Sequence, residues 1–124
     1  MNTPRRKGFA FGAQVVGFLQ KHGVPQAERR VMGGSRDRGD MAGVPGWVLE
    51  LKATKALDLA SALSEAQREA GNAGVSRYAA ILKRRQHGVA DSYVVIPLHL
   101  FAGLVAHCQQ STDPMSPEPP RMAP

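Results

Sequence analysis

The segment from Gly39 to Lys52 constrains the fold more than any other stretch of this chain. Successive side chains of a strand point to opposite faces. In the run Trp47–Lys52, Glu50 and Lys52 therefore share one face, and Trp47, Leu49 and Leu51 share the other. The preceding Val44-Pro45-Gly46 suits a three-residue hairpin loop with the glycine in the left-handed conformation. The segment therefore predicts two short strands joined by a tight turn.

This predicted hairpin brings two carboxylates together. Its register places Asp40, on the first strand, opposite Glu50 on the second, and like charges that face each other across a hairpin destabilise it. A divalent cation removes the conflict, and Mg²⁺ prefers hard oxygen ligands. The pattern therefore indicates metal-assisted hydrolysis of a phosphodiester.

The spacing Asp40-x9-Glu50-x-Lys52 resembles the PD-(D/E)xK nuclease superfamily, with Gly39 in place of the proline. The surrounding order is similar to that of archaeal-type Holliday junction resolvases and of small phage resolvase-like nucleases. Lys7-Gly8 opens a helix, a glycine-bordered loop leads into Asp40, a helix follows Lys52, and a basic run ends a later strand. The resemblance covers roughly residues 7 to 105.

The resemblance implies an α/β fold with a restriction-endonuclease-like core, in which helices flank a mixed central β-sheet. It also implies that Asp40 and Glu50 bind Mg²⁺, with Mn²⁺ as a substitute, and that the Leu51 carbonyl is a third protein ligand. Lys52 would orient or deprotonate the attacking water and offset the developing negative charge.

The first helix departs from this pattern. Resolvases of this type carry a metal-binding glutamate there, and alignment on Lys7-Gly8 puts Gly12 at its place. Either a second metal is held poorly, or substrate and water complete the shell. Gln67, on the second helix, is an accessory candidate for the metal site, with an ordinary surface role as the alternative.

The charge balance favours a polyanionic partner, because the net charge is +6 and the pI about 10.1. We expect Ser35, Arg36 and Arg38 to contact DNA phosphates from the loop before Asp40. A second set of phosphate contacts is expected after a later strand, at Lys83, Arg84 and Arg85. A solvated charged loop and a solvated charge run are the alternatives for these two sets.

Hydrophobic periodicity predicts the remaining elements. A single nuclease domain is expected over residues 1–108, and the proline-rich residues 109–124 are expected to form a disordered tail. In the second helix, the predicted buried stripe is Leu59, Leu63, Ala66 and Ala70. The predicted helices cover residues 8–22, 58–72 and 97–107, and the predicted strands outside the hairpin cover 27–32, 78–83 and 92–96.

The expected function is that of a Mg²⁺-dependent endodeoxyribonuclease acting on branched DNA in recombination, encoded by a phage or prophage. Symmetric paired nicks need two active sites, so the resemblance also implies a homodimer. A nuclease on linear, single-stranded or modified DNA, or a catalytically weak DNA-binding relative, are the alternatives. The single cysteine, Cys108, and the lack of an apolar spanning segment predict the cytoplasm of a bacterial or phage-infected cell and no membrane association.

Overall fold

The computed structural model describes residues 4–29, 41–53 and 58–110 of the 124-residue chain. Within these ranges, three α-helices and five short strands form in the order αβββαββα, with a short 3₁₀ helix at Val89–Asp91 between the last two strands. Their bounds are α1 Pro4–Lys21, β1 Glu28–Arg29, β2 Met41–Ala42, β3 Trp47–Lys52, α2 Leu59–Ala73, β4 Arg77–Leu82, β5 Tyr93–Val95 and α3 Leu98–Gln110. None of the helices in these ranges is long and apolar enough to cross a bilayer.

The larger sheet has the strand order β3-β4-β5 and is mixed. β3 and β4 are parallel, because α2 connects them as a crossover helix, and Glu50 lies beside Ala80 in their register. β5 then returns antiparallel to β4, with Val95 beside Ala80. The expected α/β class and mixed sheet flanked by helices are therefore confirmed.

Strand alternation divides the core into two layers. On one side of the sheet, Leu49 and Ile81 pack against Phe11 and Val15 of α1. On the other side, the alanines of α2 and side chains of the sheet form two smaller clusters. These clusters contain Val48, Ala62, Ala66, Ala70, Tyr78, Ala80 and Leu82. Trp47, Leu49 and Leu51 all pack against the α1 side, which confirms the predicted apolar face of β3.

The predicted hairpin is only partly confirmed. Its turn forms, with the Trp47 amide donating to the Val44 carbonyl at 3.2 Å. The ladder between the two strands does not form in the described residues, because β2 pairs with β1 instead, with Met41 beside Arg29. Gly43 has φ +78° and packs so closely that a Cβ atom there would lie 2.6 Å from the Gln26 carbonyl carbon. This close approach holds β2 against the chain that leads into β1.

The C-terminal elements follow the predicted order. β5 lies within the predicted strand 92–96, and β4 begins at Arg77, one residue before the predicted strand 78–83. α3 extends through Gln110, two residues beyond the predicted end of the domain. Residues 111–124 of the predicted tail lie outside the described residues. Tyr93 on β5 is 52% exposed.

Candidate metal centre

β3 directs Glu50 and Lys52 towards α2. Both residues lie on the same face of the strand as Val48, which packs against Ala66 and Ala70 of that helix. Glu50 is only 5% exposed, while Lys52 lies near the end of β3 and is half-buried. The predicted shared face of Glu50 and Lys52 is therefore confirmed, and the opposing layer is α2.

α2 adds two further carboxylates. Asp58 caps the start of the helix, because its side chain accepts a hydrogen bond from the Ser61 amide, and Gly74 caps the other end. Its buried face contains Glu69 together with Ala62, Ala66 and Ala70. Glu65 lies on the border of this face, one turn before Glu69. The crossover thus brings both glutamates over the end of β3.

The four side chains form a compact cluster, which we call the Glu50–Glu69 cluster: Glu50, Lys52, Glu65 and Glu69. One carboxylate oxygen from each glutamate lies within 4.8 Å of the others. Lys52 Nζ is 3.4 Å from Glu50 Oε1 and donates a hydrogen bond to Glu65 Oε2 at 3.1 Å. The ammonium therefore bridges a strand carboxylate and a helix carboxylate.

The electrostatics of the cluster keep Lys52 charged. Burial acts to lower the pKa of Lys52, but the hydrogen bond with Glu65 and the negative charges of Glu50 and Glu65 outweigh it. The net effect raises the pKa of Lys52 above its ordinary value of 10.5. Of the two roles predicted for Lys52, this favours the cation that orients and stabilises over the base that removes a proton.

The donor set fits a hard divalent cation. Glu69 is fully buried, and both of its carboxylate oxygens and Oε2 of Glu50 are closed to solvent. Within the cluster, one ammonium cannot neutralise three carboxylates, and buried charge is costly unless it is compensated. Carboxylate oxygens are the ligands that Mg²⁺ and Mn²⁺ accept. Glu50, Glu65 and Glu69 are the described residues able to hold such an ion.

The cluster is approachable from solvent along α2. A shallow groove beside Glu65 is lined by Ser61, Ser64 and Arg68, together with Ala60. Glu65 is half-buried, so its carboxylate belongs both to the cluster and to the wall of this groove. Arg68 is exposed and adds a positive charge at the groove. A ligand anion entering here would meet Arg68 before the buried glutamates.

The parallel pairing places the predicted basic run next to Lys52. The amide of Lys83 donates to the Lys52 carbonyl at 2.9 Å, which extends the ladder beyond the last strand pair. Lys83 and Arg85 are exposed, and Arg84 lies over the Tyr93 ring at 5.6 Å from its centroid. Lys52 and Lys83 are distant in the sequence but thus meet at the carboxyl ends of β3 and β4.

Of the other residues predicted for the metal site, Gln67 and Leu51 lie in the described part of the chain. Gln67 is exposed on α2 and takes no part in the cluster, because it lies outside the helix face that carries Glu65 and Glu69. The Leu51 side chain packs on the α1 side, and its carbonyl as a ligand stays a prediction. Asp40 and the predicted DNA contacts Ser35, Arg36 and Arg38 lie outside the described residues.

Glu65 and Glu69 were not predicted as site residues, although the sequence contains a signal for them. Ala62, Ala66 and Ala70 repeat every four residues, and Glu65 and Glu69 fall between them on the same helical face. The predicted stripe began instead at Leu59, which is 44% exposed. The predicted stripe also left out Ala62, the buried alanine on the side of the face that carries the two glutamates.

Gly12 has a different environment from the one that the resemblance implies. It is buried in α1, and a Cβ atom there would lie 2.6 Å from Cζ and 3.0 Å from Cδ of Arg29. Any side chain at position 12 would therefore require Arg29 to move. α1 packs on the sheet face opposite Glu50, so α2 supplies the glutamate that hydrogen-bonds Lys52.

Comparisons of the chain with protein-family models, with curated proteins and with solved structures find no significant match.

Proposed function

We propose that this protein is a Mg²⁺-dependent endodeoxyribonuclease that hydrolyses phosphodiesters of branched DNA. The observation that carries the proposal is the Glu50–Glu69 cluster, in which Lys52 Nζ lies 3.4 Å from Glu50 and 3.1 Å from Glu65. Carboxylates beside a lysine at the edge of a basic surface suit the hydrolysis of a polyanion. The order of elements that resembles PD-(D/E)xK resolvases adds to this, and we propose that the mixed sheet and its flanking helices form a restriction-endonuclease-like core.

Glu50, Glu65 and Glu69 would hold the ion, and Asp40 would add a fourth carboxylate from the neighbouring segment. Mg²⁺, or Mn²⁺ in its place, supplies polarisation of the scissile phosphate and activation of the attacking water. The side chains of the protein supply the other roles. Glu69 would bind the ion from the buried side of the site, because its carboxylate is closed to solvent. Glu65 also faces the groove beside α2 and links the ion site to the surface.

Lys52 would orient the attacking water and stabilise negative charge that develops on the phosphate. Its raised pKa keeps it protonated at neutral pH, as this role requires. Its two carboxylate partners also fix the direction of the side chain. Removal of the ammonium would therefore lower the rate of the chemical step more than it lowers DNA affinity.

DNA would be held by cations around the cluster. Lys83 and Arg85 are exposed beside the end of β3, and Arg68 is exposed at the groove. Arg36, Arg38 and Ser35 would add contacts from the loop before Asp40. With a net charge of +6, counterion release makes the affinity strongly dependent on salt. Paired cuts in a four-way junction would need two copies of the chain.

A catalytically weak DNA-binding protein is the second candidate, and one observation favours it. Arg29 fills the space next to Gly12, where resolvases carry a glutamate, so α1 offers no carboxylate at this position. Such a protein would bind DNA equally well in EDTA and would cut no substrate with Mg²⁺ or Mn²⁺. A nuclease that prefers linear or single-stranded DNA is distinguished by its substrate alone.

The test is a cleavage assay with labelled four-way junction, flap, single-stranded and duplex DNA, in Mg²⁺, Mn²⁺ and EDTA. We expect the wild-type protein to cut the branched substrates only with metal. Glu50→Gln and Lys52→Met should lose cleavage by at least a hundredfold while DNA binding is retained. Glu28→Gln is the matched control, since Glu28 is exposed on β1 outside the cluster, and it should cut like the wild type.

Three outcomes separate the possibilities. Metal-dependent cleavage that survives Glu50→Gln would show that the activity belongs to another site or to a contaminant. DNA binding without cleavage in either metal would favour the weak-binding relative. Cleavage of linear duplex in preference to junctions would retain the chemistry and change the substrate.

A further inference from the structure

Tyr93 presents an aromatic ring to solvent at the edge of the larger sheet. It lies on β5, the strand at one end of the order β3-β4-β5, and is 52% exposed. The guanidinium of Arg84 lies over this ring, with Cζ 5.6 Å from the ring centroid. Contact between a guanidinium and an aromatic face is favourable. The pair is therefore an aromatic surface that is open to solvent and has a positive charge beside it.

The register of the sheet places Tyr93 on the face that carries the Glu50–Glu69 cluster. Lys52 lies beside Leu82 on β4, and Leu82 lies beside Tyr93 on β5. Residues in register share a face, and Val95, two positions after Tyr93, packs on the α2 side. Two strand spacings separate the main chains of Lys52 and Tyr93, which is about 10 Å. This distance matches about three nucleotides of a stacked strand, at about 3.4 Å each.

A tight turn fixes the main chain of Arg84 at the end of β4. The His87 amide donates to the Arg84 carbonyl at 3.3 Å, and Gln86 adopts φ +64° within the turn. A left-handed conformation is unfavourable for a residue with a side chain, and such strain concentrates at binding sites. The turn holds Arg84 next to the strand that carries Tyr93.

A second arginine–aromatic pair in the described residues has a different setting. Arg77 lies over Trp47 at 5.9 Å from the ring centroid, where β3 and β4 begin. Trp47 is half-buried and packs with the core on the α1 side. This pair therefore lies at the other end of β3 from Lys52 and on the opposite face of the sheet. Tyr93 differs because it combines exposure with a position on the face of the cluster.

An unpaired nucleobase is the ligand that suits this surface. Bases stack on aromatic rings and on guanidinium planes. Lys83 and Arg85, the sequence neighbours of Arg84, are both exposed and can attract the phosphates of the same strand. In duplex DNA the bases are already stacked and paired, so a base must leave the duplex to reach a protein ring. The surface therefore favours DNA that contains unpaired bases.

We propose that Tyr93 and Arg84 form a stacking platform for an unpaired base of the DNA strand that reaches the Glu50–Glu69 cluster. The proposal rests on the proposed action on DNA, and it adds which part of a branched substrate the protein recognises. The recognised part is a base released from pairing near the branch, about three nucleotides from the scissile phosphate. Tyr93 is then a specificity-determining residue and takes no part in the chemical step.

The test is the affinity of the full chain, in EDTA, for two fluorescein-labelled single strands of equal length. One is a strand of thymidines, and the other has the same phosphates but abasic sugars in place of the thymidines. The ratio of the two Kd values therefore isolates the contacts with bases. We expect the wild type to bind the thymidine strand at least about fivefold more tightly, which corresponds to the lower end of base–aromatic stacking energies, about 1 kcal/mol.

Variants assign this preference to the platform. Tyr93→Ser should bring the ratio close to one, and Tyr93→Leu repeats the test with a side chain that keeps the bulk but has no ring. Tyr93→Phe should keep the ratio, because the ring alone stacks. Arg84→Gln should weaken binding of both strands and lower the ratio. Arg77→Gln is the matched control: it removes the same charge from the arginine–aromatic pair on the opposite face, so the ratio should stay at the wild-type value.

The outcomes separate the platform from the nuclease, because binding in EDTA does not depend on cleavage. Equal affinity of the wild type for both strands, or failure to bind either strand, overturns the platform. A preference that survives both Tyr93→Ser and Tyr93→Leu in folded variants, checked by circular dichroism, also overturns it. A preference that depends on Tyr93, in a protein that cuts no DNA with Mg²⁺ or Mn²⁺, supports the platform and refutes the nuclease. Metal-dependent cleavage of branched DNA without any preference retains the nuclease and overturns the platform.

Discussion

Replacement of Glu69 by Gln tests whether the Glu50–Glu69 cluster is built for a cation at the expense of stability. Glu69 is fully buried, and one of its oxygens lies within 4.8 Å of a carboxylate oxygen of Glu50 and of Glu65. At that separation and an effective dielectric constant of about 20, two unit charges repel by about 3.5 kcal/mol. Lys52 offsets part of this repulsion through its contacts with the other two glutamates.

We therefore expect Glu69→Gln to stabilise the metal-free protein by about 1–3 kcal/mol, because glutamine keeps the shape and removes the charge. For a chain of this size, this corresponds to a rise in Tm of about 4 °C per kcal/mol. Mn²⁺ should have the opposite effect and stabilise the wild type more than the variant. At a hundredfold excess over Kd it should stabilise the wild type by about 2.7 kcal/mol, and it should stabilise Glu69→Gln far less.

The assay is thermal unfolding followed by far-UV circular dichroism, in EDTA and in Mn²⁺. Glu28→Gln provides the control, since this glutamate is exposed and outside the cluster, and its effect should stay within about 0.5 kcal/mol. The argument from carboxylate repulsion is refuted if Glu69→Gln destabilises the metal-free protein, or if Mn²⁺ raises the Tm of the variant as much as that of the wild type.

Two further predictions concern stability. Because the pKa of Lys52 is raised, its contribution to the free energy of unfolding is complete below pH 10.5 and is lost as the pH rises through the raised value. Urea unfolding of the wild type and Lys52→Met should therefore differ most at neutral pH, and a difference that grows at alkaline pH would contradict this. Gly43→Ala should destabilise the protein more than Gly46→Ala. Both glycines have positive φ, which costs an alanine about 1–2 kcal/mol at either position. Only Gly43 also packs against the Gln26 main chain. Equal unfolding midpoints would show that this contact relaxes freely.

Much of the local structure could be predicted from the sequence, because periodicity is a local property. The alternation along Trp47–Lys52 identified which side chains share a face, and the structure confirms it. The second helix was predicted at 58–72 and lies at Leu59–Ala73, one residue later at each end. Three members of its predicted buried stripe, Leu63, Ala66 and Ala70, pack in the core, whereas Leu59 lies in the first turn and is exposed.

Local sequence patterns could not predict which strands and helices pack against each other. The sequence alone determined that Glu50 and Lys52 lie on one face of a strand, since side-chain alternation needs no knowledge of neighbours. Only the tertiary structure decided that β2 pairs with β1, and that Lys83 lies beside Lys52. It also brought Glu65 and Glu69 from the crossover helix to Glu50. Alternation specifies a direction for each side chain, whereas the group it meets there depends on how distant segments pack.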